Sequence, residues 1–554
     1  MYAWQSNARS WTTDATIARD HRNAATDGGR VLRGFLTVGG WTMLSRVLGL
    51  VRDQLLAALM GVGPVQDAYQ IAFRLPNMFR RLFGEGALNA AFVPLFSSLL
   101  AQEGTGPARR FANETLSVLI AWLTLLTVVG EIFMPGVLRL LAPGFAHDGV
   151  RDTLAISLSR ITFPYLVLIC GAALVSGVLN GMHHFGVAAA AYVSFNVVGI
   201  AAILLLPPYV GGVANAAAWG VTASGVIQFA ILLFALHRAG MTLHPVVPCV
   251  TPRIRQLLGR MAVGLVGSGI TQINLMIDTI IATLLPAGSV SLMYFADRVN
   301  QLPLGVLGAA AGTTLLPVLT RHLARGEIQD AHAIHNRAIE YALVLTLPAT
   351  LGLILVAEPV MMTLFGHGSF SAHDAMMSAQ SLRAYALGLP AFVMVKVLSP
   401  GFFARGDTRT PVIIGMGTLA LNLVLNLAFM HPLAHVGPPL ASSIAAIVNV
   451  VVLGGVLLRN GAMLLTESLV SRLSRMTACT ALMGVVVMFL CQCTPAGHMM
   501  DMTRTGRTLM LGAVMMVAGA TYGIGLHLTG IMDGGRITSA VLRRMGLRAR
   551  ARAD

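Results

Sequence analysis

Six arginines lie inside segments that are otherwise apolar enough to cross a membrane. They are Arg46, Arg52, Arg74, Arg80, Arg81 and Arg298. An arginine at the centre of a bilayer costs about 3 kcal/mol, so a cluster of them predicts a wet interior cavity rather than contact with lipid. The planar guanidinium group binds phosphate oxygens with two parallel hydrogen bonds, and Lys396 is the only lysine in the chain. These residues therefore favour an anionic, phosphate-bearing cargo.

The spacing of the charged residues places several of them on common helix faces. Arg74, Arg81 and Glu85 are spaced i, i+7, i+11, and Arg46 and Asp53 are spaced i, i+7. On a helix of 3.6 residues per turn each set forms one stripe, which we expect to face the cavity. The alternative is that the acids pair with neighbouring arginines and only hold helices in register.

A second polar group combines Asp278 with Asn422, Asn426 and Ser442. A carboxylate, two amides and a hydroxyl offer the hard oxygen ligands that a sodium ion prefers. Hydrogen bonding between helices is common for such residues in membranes and is an equally good interpretation. We therefore predict either a sodium site or a hydrogen-bonded contact between helices.

Composition defines the elements that must position these residues. The chain has 554 residues, of which 55% are hydrophobic and 11% charged, and its mean hydropathy is +0.73. These values exclude a soluble globular protein and a disordered one, and the apolar windows predict an all-α polytopic membrane protein with about 14 spanning helices. The sequence contains no nucleophile with a base, no phosphate-binding glycine loop and no metal-spaced His/Cys cluster, so we expect no enzyme and no required cofactor.

The distribution of arginine predicts the orientation in the membrane. Arginine-rich connections alternate with nearly neutral ones, which predicts both termini on the cytoplasmic side. The net charge of +15 is explained by this asymmetry rather than by nucleic-acid binding. The basic C-terminal sequence RRMGLRARAR favours contact with anionic membrane lipids.

The chain is internally duplicated at a spacing of about 225 residues, as many transporters are. RDQLLAALMG with Asp53 matches IDTIIATLLPAG with Asp278, and AYQIAFRLPN with Arg74 matches MYFADRVNQLP with Arg298. Because each repeat holds an even number of helices, the repeats should form two parallel six-helix bundles. The predicted parts are a cytoplasmic tail (1–33), a first bundle (34–240), a cytoplasmic linker (241–260), a second bundle (261–460), two extra transmembrane helices (468–530) and a basic cytoplasmic tail (531–554).

Three segments of the chain resemble the MurJ (MviN) family of bacterial lipid II flippases. They are SRVLGLVRD, QDAYQIAFRLPNMFRRLFGEGALNAAFVPLF and MYFADRVNQLPLGVLGAAAGTTLLP. The resemblance covers about residues 33–530 and implies a MATE-like fold of the MOP superfamily in the inner membrane. It also implies that the chain flips undecaprenyl-diphosphate-linked disaccharide-pentapeptide to the outer leaflet for cell-wall synthesis, working as a monomer. The alternative is an exporter of another lipid-diphosphate-linked saccharide on the same fold.

The same resemblance assigns roles to individual residues. The essential cavity arginines of the family fall on Arg46, Arg52, Arg80 and Arg298, with Arg81 beside them, and its gating acids fall on Asp53, Asp67 and Glu85. The sodium site described for some members falls on Asp278, Asn422, Asn426 and Ser442. Two of these depart from the family pattern, since Asn426 replaces an aspartate and Ser442 replaces a threonine. The two extra helices are implied to form, with the second bundle, a groove for the prenyl tail.

Overall fold

The computed structural model describes residues 39–82, 88–493 and 502–531. Only the backbone is described at residues 147, 263–268, 270–271, 306–314 and 493. Within these ranges the regular structure is helical, which confirms the predicted all-α class. Nine helical stretches of the described residues are long and apolar enough to cross a membrane. Two of these stretches, Gly149–Gly181 and Arg409–Arg459, contain more than one helix, and the 51 residues of the second are enough to cross a membrane twice. The helices that carry the predicted arginines lie outside the nine stretches, and the predicted total of about 14 includes them.

The helices of the first repeat run from residue 39 to residue 238. They are α1 (39–60), α2 (Pro64–Phe79), α3 (Leu88–Gln102), α4 (Thr105–Ile132), α5 (Met134–Leu141), α6 (Gly149–Thr162), α7 (Tyr165–Gly181), α8 (Phe185–Leu205), α9 (Pro207–Val210) and α10 (Val213–Arg238). A short 3₁₀ segment, Pro143–His147, joins α5 to α6.

The helices of the second repeat and of the extra pair follow from residue 252. They are α11 (Pro252–Thr283), α12 (Ser289–Ala324), α13 (Ile328–Leu355), α14 (Ala357–Leu364), α15 (Ala372–Phe403), α16 (Arg409–Leu433), α17 (Gly437–Arg459), α18 (Glu467–Cys493) and α19 (Arg504–Leu528). The last two lie close to the predicted positions of the extra pair.

The helix that carries Arg298 and its counterpart in the first repeat both contain prolines. In the second repeat α12 is a single helix of 36 residues, although it contains Pro303 and Pro317. In the first repeat the described parts of the equivalent segment are α2 and α3, and α2 is followed by a π-helical turn at residues 80–82. Wide turns of this kind often mark functional sites, and this one contains two of the predicted arginines.

The described residues form two compact units whose boundaries cross the predicted repeats. The first unit comprises the described parts of Met1–Leu55, Ile71–Pro135 and Ala155–Ser268. The second comprises those of Leu56–Gln70, Gly136–Leu154 and Gly269–Asp554. Two hairpins of the first repeat thus pack with the second repeat. The predicted boundaries of the two bundles stay a prediction.

In the first unit, the predicted linker is only partly irregular. Residues 241–251 form neither helix nor strand, but α11 begins at Pro252, inside the predicted linker. This irregular segment contacts α4, where the backbone N–H of His244 donates to Asn113 and that of Val246 donates to Ser117. The polar side chains of α4 therefore satisfy backbone groups that a strand would otherwise pair.

In the second unit, the extra helices pack on each other and on α13. Met476, Cys479 and Met483 of α18 form a buried cluster with Tyr522 and Leu526 of α19. The Tyr522 hydroxyl donates to the carbonyl of Val344 in α13 at 2.8 Å. Burial of this apolar seam and the part-buried hydrogen bond attach the pair to the second bundle.

Candidate functional site

In the first unit, Arg52 is held by a carboxylate and two aromatic rings. Its guanidinium donates to Asp53 Oδ1 at 3.0 and 3.3 Å, and both residues are buried, with exposed fractions of 5% and 0%. The guanidinium carbon lies 5.2 Å from the ring centre of Phe195 and 5.9 Å from that of Phe73. Cation–π contact strengthens when water is excluded, so the aromatic rings and the carboxylate together stabilise the buried charge.

Arg46 lies on the same helix but is exposed. The adjacent residue Ser45 receives a hydrogen bond at its carbonyl, 2.9 Å, and another at its hydroxyl, 3.1 Å, both from the Asn196 amide of α8. The sequence predicts one cavity-facing stripe for Arg46 and Asp53. In this structure Arg46 is exposed and Asp53 is fully buried, so a gating role for Asp53 stays a prediction.

Arg74, Arg80 and Arg81 are half-buried along α2 and the π-helical turn that follows it. Arg80 donates from two nitrogens to Asn77 Oδ1, at 2.9 and 3.1 Å, which fixes its direction. The predicted partner Glu85 lies outside the described residues. An ion pair between Arg81 and Glu85 therefore stays a prediction.

In the second unit, Asp67 caps the start of α12 from a different helix. Its carboxylate, which is fully buried, accepts from the backbone N–H of Gly288 at 2.6 Å and from that of Ser291 at 2.8 Å. The Ser291 hydroxyl also donates to it. A carboxylate at a helix N-terminus satisfies N–H groups that have no partner within the helix and meets the positive end of the helix dipole.

Close backbone contacts surround this cap. The Ser369 N–H donates to the Ala58 carbonyl at 2.7 Å, and a Cβ atom at Gly368 would overlap that carbonyl. A Cβ atom at Gly144 would likewise overlap the carbonyl of Thr283. The hairpins 56–70 and 136–154 therefore approach the second repeat so closely that only glycine fits at these positions.

Arg298 also belongs to the second unit. It is half-buried on α12, with its guanidinium carbon 5.9 Å from the ring centre of Tyr294, one turn earlier. The preceding residue, Asp297, accepts a short hydrogen bond from Gln301.

The structure brings together all four residues of the predicted cation site. Asp278 Oδ1 accepts from the amides of Asn422 and Asn426, both at 2.9 Å, and Oδ2 accepts from the Ser442 hydroxyl at 2.6 Å. The four side chains are at most 5% exposed. Asn274, one turn before Asp278 on α11, also joins the network and accepts from Asn422 at 2.7 Å.

The side chains of this network could bind a small hard cation only if the two amide groups rotate. In this structure both amide nitrogens point at the carboxylate, as the hydrogen-bonding interpretation predicts. The buried Oδ1 of Asn426 accepts no hydrogen bond. Rotation of the Asn422 and Asn426 amides by half a turn would direct their oxygens toward Asp278, so that a cation would find a carboxylate, two amide oxygens and a hydroxyl.

One charged group was not expected from the sequence. His322, Glu327 and Asp330 bring potential ligand atoms within 4.8 Å of one another at the turn between α12 and α13. Here His322 lies at the C-terminal end of one helix, and Asp330 lies in the first turn of the next. Asp330 thus meets the positive end of a helix dipole, and the His322 ring lies within hydrogen-bond distance of Glu327, which accounts for the cluster.

Sequence reasoning missed most of the partners of the predicted residues. Gly288 and Ser291 carry no pattern that marks them as the binding site of Asp67. Nothing in the sequence marks Phe195 as a partner of Arg52 either, because a phenylalanine in an apolar helix is normally predicted to be a core residue. Asn274 was detectable, since its i, i+4 spacing to Asp278 places both residues on one face of a helix.

Comparison with known families agrees with these features. A family model described as lipid II flippase MurJ matches residues 56–506. A probable lipid II flippase MurJ of Rhizobium tropici is 38% identical over 519 residues, which cover 93% of this chain and 97% of that protein. The lipid II flippase MurJ of Burkholderia cenocepacia is 36% identical over 76% of this chain and 82% of its own length.

Solved structures show the same fold. A lipid II flippase MurJ in an inward closed conformation superposes with a TM-score of 0.75 at 24% identity, covering 89% of this chain and 98% of that one. An inward-facing multidrug resistance MATE transporter of the MOP superfamily gives a TM-score of 0.62 at 16% identity, covering 75% and 95%. The match to the family model over residues 56–506 and the similarity to bacterial members over most of their length establish that this chain belongs to the MurJ family of lipid II flippases.

Proposed function

We propose that this chain moves lipid II from the inner to the outer leaflet of a bacterial cytoplasmic membrane by alternating access. The observation that carries the proposal is the family match over residues 56–506, which includes four of the six predicted arginines. Transport of this kind requires binding and reorientation without covalent chemistry. The chain would work as a monomer with both termini in the cytoplasm.

The arginines would bind the diphosphate of the substrate. Arg46 is exposed, while Arg74, Arg80, Arg81 and Arg298 are half-buried, so their guanidinium groups are accessible to a headgroup. Arg52 differs, because its guanidinium is enclosed by Asp53 and aromatic rings. We assign it a supporting role in this conformation and a direct contact with the diphosphate only if Asp53 releases it.

Asp67 would act as a latch of the outer gate. Its hydrogen bonds to Gly288 and Ser291 attach the α1–α2 hairpin to the start of α12. The connection between α1 and α2 is nearly neutral, which favours the outer side of the membrane. Opening outward would break these hydrogen bonds, so the latch would stabilise a state that is closed toward the outside.

The prenyl tail would travel outside the charged sites. Each buried CH₂ contributes about 0.8 kcal/mol, so a long tail cannot leave an apolar environment. The helices α18 and α19 lie outside the duplication and are attached to α13 by an apolar seam. We propose that they line the path of the tail.

Complementation of a conditional lipid II flippase depletion strain tests the function directly. The wild-type chain should restore growth, and Arg46→Ala or Arg298→Ala should abolish it although each protein still inserts. Lysine at either position should restore growth only poorly, because its ammonium group lacks the planar, paired N–H donors of a guanidinium group. Growth supported by both alanine variants would contradict the role of the arginines.

The same strain separates lipid II from related cargo. A chain that exports another lipid-diphosphate-linked saccharide would insert normally but would not restore growth. Arg110→Ala is a matched control, because this exposed arginine pairs with Glu114 and lies outside all predicted sites. It should grow like the wild type.

A further inference from the structure

One face of α8 contacts α1 where the latter carries its arginines. Tyr192, Phe195, Asn196 and Gly199 are spaced i, i+3, i+4, i+7 and therefore form one stripe. All four lie in the first unit with residues 39–55 of α1. The stripe has no place in the motifs that identify the family, and no predicted site residue belongs to it.

The first half of the stripe holds the backbone beside Arg46. The Asn196 amide donates to the carbonyl and the hydroxyl of Ser45, at 2.9 and 3.1 Å. The Ser45 hydroxyl in turn lies 3.4 Å from the carbonyl of Tyr192. Asn196 is only 6% exposed, and these part-buried hydrogen bonds between helices fix the relative height of α1 and α8.

The second half of the stripe encloses the Arg52 side chain. The ring of Phe195 lies 5.2 Å from the guanidinium carbon and is itself supported by Phe73 and Tyr165, with ring centres 6.1 and 5.7 Å away. Gly199 leaves room for the stem of the arginine. A Cβ atom there would lie 3.3 Å from Arg52 Cδ, the only described heavy atom within 4 Å outside its own helix.

We propose that Phe195, Asn196 and Gly199 are positioning residues that determine where α1 presents Arg46 and, once Asp53 releases it, Arg52 to the substrate diphosphate. The proposal rests on the function proposed above. A diphosphate gains most from cations whose positions are fixed before it binds, because reorganisation is then avoided. A site built from arginines needs this support more than one built from lysines, because the planar guanidinium group binds two phosphate oxygens only in one orientation.

Gly199→Ala tests the proposal with the smallest change. The new methyl group must displace Arg52 by a few tenths of an ångström, and the dissociation constant for a short-chain lipid II analogue should rise about threefold. Binding is measured on the purified full-length chain in lipid nanodiscs. In an Arg52→Ala background, which lacks Cδ, the same substitution should have no further effect. Gly259→Ala is the matched control, because a Cβ there meets no described heavy atom within 4 Å.

Phe195 provides a second, independent test. Phe195→Leu should weaken binding of the analogue about tenfold, because it removes the cation–π contact and keeps an apolar side chain. Phe195→Tyr keeps the aromatic face and should bind like the wild type. Val197→Ala, on the exposed side of α8, is the control for general effects on this helix.

The outcomes distinguish positioning from stability and from a failure of the proposed function. Positioning is supported if Gly199→Ala and Phe195→Leu bind more weakly while their unfolding temperatures equal those of the two controls. Unchanged affinity, or affinity that falls only together with the unfolding temperature, overturns it. So does a further loss from Gly199→Ala in the Arg52→Ala background. A wild-type chain that neither binds the analogue nor restores growth would instead reject the function.

Discussion

Asp53 and Asp278 occupy equivalent positions in the two repeats, but different kinds of hydrogen-bond donor stabilise the two carboxylates. Asp53 is fully buried and accepts from the guanidinium of Arg52. Asp278 is 4% exposed and accepts from two amides and a hydroxyl, which are neutral groups. The duplicated helix thus keeps its acid, but the two bundles surround that acid with different chemistry.

This difference predicts a structural role for the ion pair of Asp53 and an ion-dependent role for the carboxylate of Asp278. A buried carboxylate that is paired with an arginine is compensated, and removing either partner leaves an unpaired charge in a dry site. A buried carboxylate held by hydroxyl and amide donors gains more from an added cation or proton. We therefore expect Asp53 to be essential for stability and Asp278 to be the position that responds to ions.

The largest effect should follow from Asp53→Asn. Asparagine keeps the size of the side chain but removes the charge opposite Arg52, so stability should fall by about 3 to 5 kcal/mol. The measurement is thermal unfolding of the purified chain in nanodiscs, with complementation as the functional readout. Glu103→Gln is the control, because it breaks an exposed pair with Arg253 and should cost less than about 1 kcal/mol. Equal effects of the two variants would refute the assignment of Asp53.

A smaller effect, dependent on sodium, should follow from Asn426→Asp. The new carboxylate would lie about 2.9 Å from Asp278 Oδ1, where the amide nitrogen now lies. Two carboxylates at this distance cannot both remain charged without a cation, so the variant should be destabilised in choline chloride. Sodium at a hundred times its dissociation constant should restore about 2.7 kcal/mol.

The exposed Asn460→Asp serves as the control for this prediction. It should show equal stability in sodium chloride and choline chloride of the same ionic strength. An Asn426→Asp variant that is indifferent to sodium would show that the network cannot hold the ion even with a second acid, and the cation interpretation should then be abandoned.

Sequence reasoning predicted the elements of this comparison better than their contacts. Hydropathy and the duplication indicated the helices and aligned Asp53 with Asp278, because both signals depend on residue types repeated along the chain. The amide and hydroxyl partners of Asp278 were predicted as a group, from the family resemblance and their polar character in apolar helices.

The ion pair between Arg52 and Asp53 confirms, for this acid, the alternative that the sequence offered. Its geometry depends on packing, because neighbouring residues on a helix point in different directions and the long arginine side chain must bend against α8 to reach Asp53. The partners of Asp67 are mostly backbone N–H groups, which every residue except proline carries. The division of the chain into two units that cross the repeats has no local signal.

The smallest effect should follow from Asp278→Asn. An asparagine oxygen can still accept from the amides of Asn422 and Asn426, and the Ser442 hydroxyl can rotate to accept from the new amide nitrogen. Because each of these three hydrogen bonds then keeps a partner and a buried charge is removed, stability should change by less than about 1 kcal/mol. Asp278→Ala, which leaves the same donors without an acceptor, is the contrasting variant and should be clearly less stable. A loss as large as that of Asp53→Asn would show that the two acids are equivalent after all. If Asp278→Asn transports normally with the sodium dependence of the wild type, the network is a contact between helices and has no role in ion coupling.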